Sequence, residues 1–315
     1  MPSTTDRETT THDFMADYEA VGILGRWTNG VVALYQRESD QEKDSTHKIV
    51  LKISKDADSS ANIIHEAQIM RKLAGGCLNI VQFLGDDSFS PLRRIIFLEY
   101  CLPGDLYQYK QEIGKHGIIP EVFIWNAFIQ ISGALDYLHN GPAVPERRDQ
   151  KHWIPIAHCD IKPKNILLCP GPHSGADLPD RSPILKLADF SRAREIPEGD
   201  TTAVCGTWLY IPPEKPNITP RGDVWVIGGI VHWLALNTPP VDHEEYVRIY
   251  ENRESYRGDP ARMYDNVARR DYPINLSRKG WVHKYKTTGW VDVLYQPIWS
   301  LCSMILPFEL LRHGS

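Results

Sequence analysis

The stretch Ile156-Ala-His158-Cys-Asp160-Ile-Lys162-Pro-Lys-Asn165-Ile-Leu-Leu168 sets a knot of polar residues between apolar flanks. That pattern suits a short loop leading into a buried strand. Within it a carboxylate, an ammonium two residues on and an amide five residues on can converge on one point. Oxygen donors and a cation so placed suit a phosphoryl group and its metal. A lone loop aspartate is more often a turn former or helix cap. The spacing Asp-x-Lys-x-x-Asn followed by three apolar residues is far more restrictive.

Working outward, short alternating runs on the amino-terminal side read as strands: Val21–Leu24, Val31–Tyr35, Ile49–Ile53, Ile80–Leu84 and Arg94–Tyr100. One helix interrupts them near Ser60–Leu73, with Ser59 or Ser60 as its cap, Arg71 and Lys72 in its last turn, and Gly75-Gly76 ending it. Alternation in the third run puts Ile49, Leu51 and Ile53 on one face and Val50 with Lys52 on the other. An ammonium in mid-strand needs a partner if it is buried, and Glu66 on the helix is the candidate. Gly25-Arg-Trp27-Thr-Asn-Gly30-Val-Val32 forms the turn between the first two strands. Val122–Asn140 is a helix with one apolar stripe, Ile124, Phe128, Ile131, Leu135 and Leu138. Residues 224–236 are almost wholly apolar and predict a helix buried on all sides.

These segments occur in a fixed order, and that order resembles the eukaryotic protein kinase family, serine/threonine type. The opening stretch is similar to H-R-D-L-K-P-x-N, with Cys159 in place of arginine. The glycine turn resembles G-x-G-x-x-G-x-V, with Trp27 at the middle glycine, and Ile49–Lys52 resembles V-A-I-K. Leu187-Ala-Asp189-Phe-Ser191 is similar to the D-F-G segment, Gly206–Glu214 to G-T-x-x-Y-x-A-P-E, and Asp223–Gly228 to D-V-W-S-x-G. The resemblance is firm over residues 20–240 and thin beyond.

The resemblance implies an α+β, bilobal protein kinase-like fold with a small lobe of five antiparallel strands plus one helix and a large, mostly helical lobe. The boundaries implied are a disordered tail at 1–17, a small lobe at 18–98, a hinge at 99–104 and a large lobe at 105–315, atypical after about residue 240. It implies ATP- and Mg²⁺-dependent transfer of phosphate to serine or threonine hydroxyls of a protein substrate. Asp160 would orient the attacking hydroxyl, Lys162 would neutralise the transferred phosphate, and Asn165 and Asp189 would hold the metal. Lys52, paired with Glu66, would hold the other phosphates. Gly25, Gly30, Val32, Leu98, Glu99, Cys101, Asp105 and Leu167 would complete the nucleotide site. Glu99 and Cys101 would do so through backbone, with Leu98 as gatekeeper and Asp105 toward the ribose. Asp105 reads equally as the cap of a following helix, and His158 as a loop-packing residue. Ser191 predicts damped flipping of its turn, and Trp27 predicts weakened nucleotide binding.

Two departures bear on regulation. Arginine at position 159 commonly holds a phosphorylated activation-loop residue, which a thiol cannot do. Independence from phosphorylation at Thr201 or Thr202 is therefore expected. Glu214 ordinarily pairs with an arginine near the end of the domain, and Leu306-Pro-Phe-Glu-Leu-Leu311 offers none. With Trp27 and Ser191, that absence favours the alternative, a pseudokinase acting as a nucleotide-binding or scaffold protein.

The chain has 315 residues, 42% hydrophobic and 24% charged, an ordinary globular composition. A net charge of -5 gives no support for nucleic-acid binding, and no run of 18 apolar residues indicates a membrane span. Six scattered cysteines without a C-x-x-C pair indicate neither a zinc site nor a disulfide framework, so cytoplasmic or nuclear residence is expected. Pro- and Gly-rich insertions at 140–155, which is basic, and 169–183 are surface loops where a partner could dock.

Overall fold

A computed structural model of the protein describes residues 17–27, 29–37, 48–90, 93–102, 104–114, 119–142, 153–171, 183–202, 206–212, 218–237, 248 and 251–252. All belong to the first of two compact units, Met1–Ala268; the second, Arg269–Ser315, lies outside the described residues. The tail at 1–16, most of both insertions, Glu214 and Leu306–Leu311 lie outside them too.

A five-stranded antiparallel sheet forms, of order β1-β2-β3-β5-β4, with four strands where expected and the fourth displaced along the chain. β1 (Tyr18–Trp27), β2 (Gly30–Arg37) and β3 (Lys48–Ser54) extend beyond their expected ends. In β3 the expected alternation holds: Ile49 and Leu51 pack with Ile95 and Phe97 of β5, with Ile53 beside them. Lys52 lies on the opposite face. It is opposite Val32 of β2 and Ile96 of β5.

Helix α1 (Ala57–Leu73) starts three residues earlier than expected. Its cap is Asp56, not Ser59 or Ser60. The Asp56 carboxylate accepts the Ser59 N–H at 2.9 Å, and the Ser59 hydroxyl accepts the Asp56 N–H at 3.1 Å, so the pair forms a capping box. Ser60 is drawn instead to the end of β3, 2.9 Å from the Ser54 hydroxyl. The helix lays Ile63, Ala67, Met70 and Leu73 into the core and packs on β3, β4 and β5.

The fourth strand corrects the sequence reading most. β4 runs Phe83–Ser90, not Ile80–Leu84. Ile80 and Val81 are buried, at 4% and 2% exposure, but their partner is in the other lobe. Ile80 bridges Leu187 in parallel, and the Val81 N–H donates to the Leu187 carbonyl at 2.9 Å. Their hydrophobicity was legible; the strand that buries them was not. β5 (Arg93–Glu99) completes the sheet and leads out of the small lobe.

In the large lobe, β6 (Gly104–Asp105) leads into α2 (Leu106–Gly114), followed by α3 (Glu121–Asn140). The α3 stripe is buried as expected, with Phe123, Ala127, Ala134 and Tyr137 added to it. Short β7 (Ile156–Ala157) precedes the opening loop, and β8 (Ile166–Cys169) pairs with β6 and with β9 (Ile184–Leu187). β10 (Arg194–Glu195) pairs with β7, and α4 (Pro220–Leu236) packs on α3. The expectation that α4 is enclosed on every side is corrected: Ile227, Ile230, Val231 and Leu234 are buried, but Gly228 is exposed and Trp225 half-exposed. Among the described residues, no helix is long and apolar enough to cross a membrane.

Because Ile80 is buried between lobes, Ile80→Ala should cost about 3 kcal/mol of stability. Chemical denaturation of the two proteins checks this.

Candidate active site

Asp223, in the first turn of α4, anchors the loop between β7 and β8. Its carboxylate accepts the His158 N–H at 2.6 Å and the Cys159 N–H at 3.1 Å. At 3% exposure it has little water, so these charge-assisted bonds replace solvation. The anchor allows Cys159 a φ of 64°, left-handed backbone that few side chains adopt. His158 is fully buried and spends both ring nitrogens on backbone. Nε2 donates to the Ala188 carbonyl at 3.1 Å, and Nδ1 accepts the Asp160 N–H at 3.3 Å. Its role is structural, as the sequence implied.

The three polar residues of the opening stretch do converge. Asp160 Oδ2 accepts the Lys162 ammonium at 2.7 Å, and Oδ1 accepts the Thr207 hydroxyl at 2.8 Å. Lys162 also donates to Thr207 Oγ1 at 3.1 Å. Asn165 donates from Nδ2 to the Asp160 carbonyl at 2.8 Å, which leaves its Oδ1 as the oxygen suited to a hard cation. Gly206, just before Thr207, has a φ of 97°, and a Cβ there would lie 2.1 Å from the Cys159 carbonyl oxygen. Only glycine permits that approach.

From the small lobe, the Lys52 ammonium reaches Glu66 Oε2 at 2.6 Å and Asp189 Oδ1 at 2.7 Å. Burial acts to lower the lysine pKa, but the charges of Glu66 and Asp189 outweigh it and raise it. Glu66, fully buried, also accepts the Phe190 N–H at Oε1, 3.2 Å away; burial pushes its carboxyl up against the pull of Lys52. At Asp189 burial again acts upward. There Lys52, with the Ser191 hydroxyl at 2.8 Å, prevails and holds the carboxyl well below the usual range. Both donors meet Oδ1, so Oδ2 is the oxygen to offer a metal. The left-handed residue of this turn is Asp189, with a φ of 63°, while Ser191 has an ordinary backbone. Serine is therefore compatible with the turn, and its hydroxyl adds a hold on Asp189.

The remaining nucleotide-site candidates fall into two groups. Gly25 pairs with Val32, Val32 with Lys52 and Lys52 with Ile96, so Val32, Lys52 and Leu98 share one sheet face. Gly30 pairs with Trp27 at the hairpin end. Near the hinge, Leu167 on β8 pairs with Asp105. Asp105 caps α2, accepting the Gln108 N–H at 2.8 Å, so the capping reading is realised. The Glu99 carboxylate accepts the Lys186 ammonium and the Gln82 N–H, both at 2.6 Å, which ties the hinge to both lobes. The Cys101 and Cys169 sulfurs lie within 4.8 Å of each other and of a Glu99 oxygen.

Sequence reasoning missed three of these parts. From sequence Asp223 reads only as a helix-start residue, although an acid leading an apolar helix needs a donor, which is the signal that points to it. Thr207 was not placed on Asp160. Lys186 alternates between apolar residues in β9 much as Lys52 does in β3, and the same question about its partner would have found Glu99.

The structure therefore holds a buried lysine–glutamate pair joined to an aspartate, and an Asp–Lys–Asn loop in the large lobe, at the positions the kinase resemblance implies. The comparisons agree. Residues 18–273 match the protein kinase domain, and the chain belongs to that family. It is 28% identical over 252 residues to the "Probable serine/threonine-protein kinase nek2" of Dictyostelium discoideum, covering 78% of this chain and 54% of that one. It is 32% identical over 164 residues to serine/threonine-protein kinase ATG1a of Arabidopsis thaliana, covering 51% and 22%. It is 28% identical over 313 residues to NUAK family SNF1-like kinase 2 of Rattus norvegicus, covering 96% and 44%. The chain thus spans about half or less of the length of these relatives.

Asp223→Ala would orphan the buried His158 N–H and the half-buried Cys159 N–H and release Cys159 from its left-handed backbone. A loss of roughly 3 kcal/mol of stability is expected, measured by denaturant melts.

Proposed function

We propose that the chain transfers the γ-phosphoryl group of ATP, with Mg²⁺, to serine or threonine hydroxyls of protein substrates. The observation that carries this is the assembled set: Lys52 closed on Glu66 and Asp189, with Asp160 bonded to Lys162 and Thr207. When bound, Mg²⁺–ATP supplies the phosphoryl donor and most of the charge to be managed. The Asn165 Oδ1 and the low-pKa carboxylate of Asp189 are hard oxygen donors suited to the cation. Asp160, buried and fixed by three side chains, orients an incoming hydroxyl by accepting its hydrogen bond. Lys162 beside it offsets charge that builds on the transferred group. Relatives named as serine/threonine kinases and the Lys162–Thr207 contact support the choice of hydroxyl.

The proposal includes independence from activation-loop phosphorylation. The Cys159 thiol lies 3.6 Å from the Ala157 carbonyl, and a neutral thiol offers a phosphate no charge-assisted hydrogen bond. Thr202 is tied by backbone to Ile218, at 2.8 and 2.9 Å. Arg194, which lines a cavity of about 430 Å³ with Thr201 and Thr202, is already bonded to the Ala193 carbonyl and to His65 Nε2. The four described cysteines are free thiols, which supports residence in a reducing compartment, cytosolic or nuclear.

The pseudokinase reading is favoured by one observation, the Trp27 ring lying over Lys52. ADP production with Mg²⁺–ATP and a basic protein substrate separates the two. Asp160→Asn should lower the rate by about a hundredfold or more, and equal rates for both proteins would sink the enzyme reading. Replacing Thr201 and Thr202 together by alanine should leave turnover nearly unchanged; a loss of about a hundredfold would refute phosphorylation independence.

A further inference from the structure

Trp27 stands where the family's loop has its middle glycine, and its position is set by the sheet. It pairs with Gly30, Gly30 pairs with Ser54, and Val32 pairs with Lys52. Cross-strand partners point to the same face, so Trp27, Gly30, Val32 and Lys52 all face one side. On that side the Trp27 ring centroid lies 4.8 Å from the Lys52 ammonium, a cation–π contact. Gly30 makes room for it, since a Cβ there would come within 2.8 Å of the indole nitrogen.

The contact uses up the lysine. An ammonium has three N–H donors. Glu66 and Asp189 take two, at 2.6 and 2.7 Å, and the ring face lies 4.8 Å from the ammonium. A phosphate oxygen bonded to that ammonium would sit about 2.8 Å from it, closer than the ring centroid on the same sheet face. The indole and a nucleotide phosphate therefore compete for one place. The ring is not locked there either. Its N–H is the one buried side-chain polar atom among the described residues without a partner. Leaving a donor unmet is a cost that is recovered when the ring swings out.

We infer that Trp27 is a self-occupant of the phosphate subsite, which lowers affinity for phosphorylated nucleotides while leaving the nucleoside part of the site untouched. Trp27 thereby sets how strongly this chain discriminates adenosine from ADP and ATP, and nucleotide binds only after the ring has left Lys52. The inference rests on the nucleotide-site reading above and adds a determinant of affinity to it.

The test compares dissociation constants of adenosine, ADP and Mg²⁺–ATP for the full chain and for Trp27→Gly, by calorimetry or fluorescent-nucleotide competition. Trp27→Gly should tighten ADP and ATP about tenfold, the scale of one partly desolvated cation–π contact, with adenosine unchanged. Trp27→Phe keeps a ring over the ammonium without the unmet N–H and should bind ADP and ATP no more tightly than the parent; unchanged adenosine affinity reports that each variant keeps its fold. If Trp27→Gly binds ADP and ATP no more tightly, or adenosine tightens equally, the inference is overturned while the nucleotide site stands. If none of the three ligands binds the parent or either variant, both readings fall.

Discussion

One buried cation organises the small lobe and its join to the large one. An ammonium at 6% exposure is tolerable only with its charge met on the spot, and Lys52 is met by two carboxylates from distant parts of the chain. Glu66 comes from α1 and Asp189 from the turn after β9. For both to arrive, α1 must pack on β3 through Ile63, Ala67 and Met70, and Phe190 must be buried beneath it. The desolvation penalty on three ionised groups thus acts as a geometric constraint. Removing Lys52 leaves both carboxylates without their cation, whereas removing either carboxylate leaves the lysine one partner.

The loop between β7 and β8 is held by a different means, backbone donors gathered on one acid. Asp223 fixes the N–H groups of His158 and Cys159, His158 in turn holds Ala188 and Asp160, and Gly206 lies against the Cys159 carbonyl. None of these contacts needs an arginine at position 159 or a phosphate on the neighbouring loop. The loop's shape comes from inside the large lobe, which is why cysteine is tolerated there. Ser191 is a parallel case. The strained backbone falls on Asp189, so position 191 need not be glycine, and serine contributes a hydroxyl to the same carboxylate.

Most of the site was legible where residue type and spacing carry the chemistry. Asp160, Lys162 and Asn165 lie within six residues and had to converge. Lys52 stood out because a lysine between apolar neighbours demands a partner, and Glu66 was within reach on the next helix. Less legible were pairings that depend on which surfaces meet. Ile80 and Val81 read as a sheet strand because burial looks alike whichever lobe supplies the cover. Asp56 is not distinguished as the cap because Ser59 and Ser60 are equally good cappers, and only the actual entry angle of the chain decides among them.

The sequence by itself determined the family, the order of the elements and the identity of the groups that carry charge, since these follow from local pattern and from residue chemistry. The tertiary structure alone decided that Asp223 is the anchor of the catalytic loop, that Lys186 holds the hinge through Glu99, and that the Trp27 ring rests on Lys52. Each of those contacts joins residues at least 25 positions apart, across a distance set by packing. Local pattern reports what a residue needs, but not which distant residue will supply it.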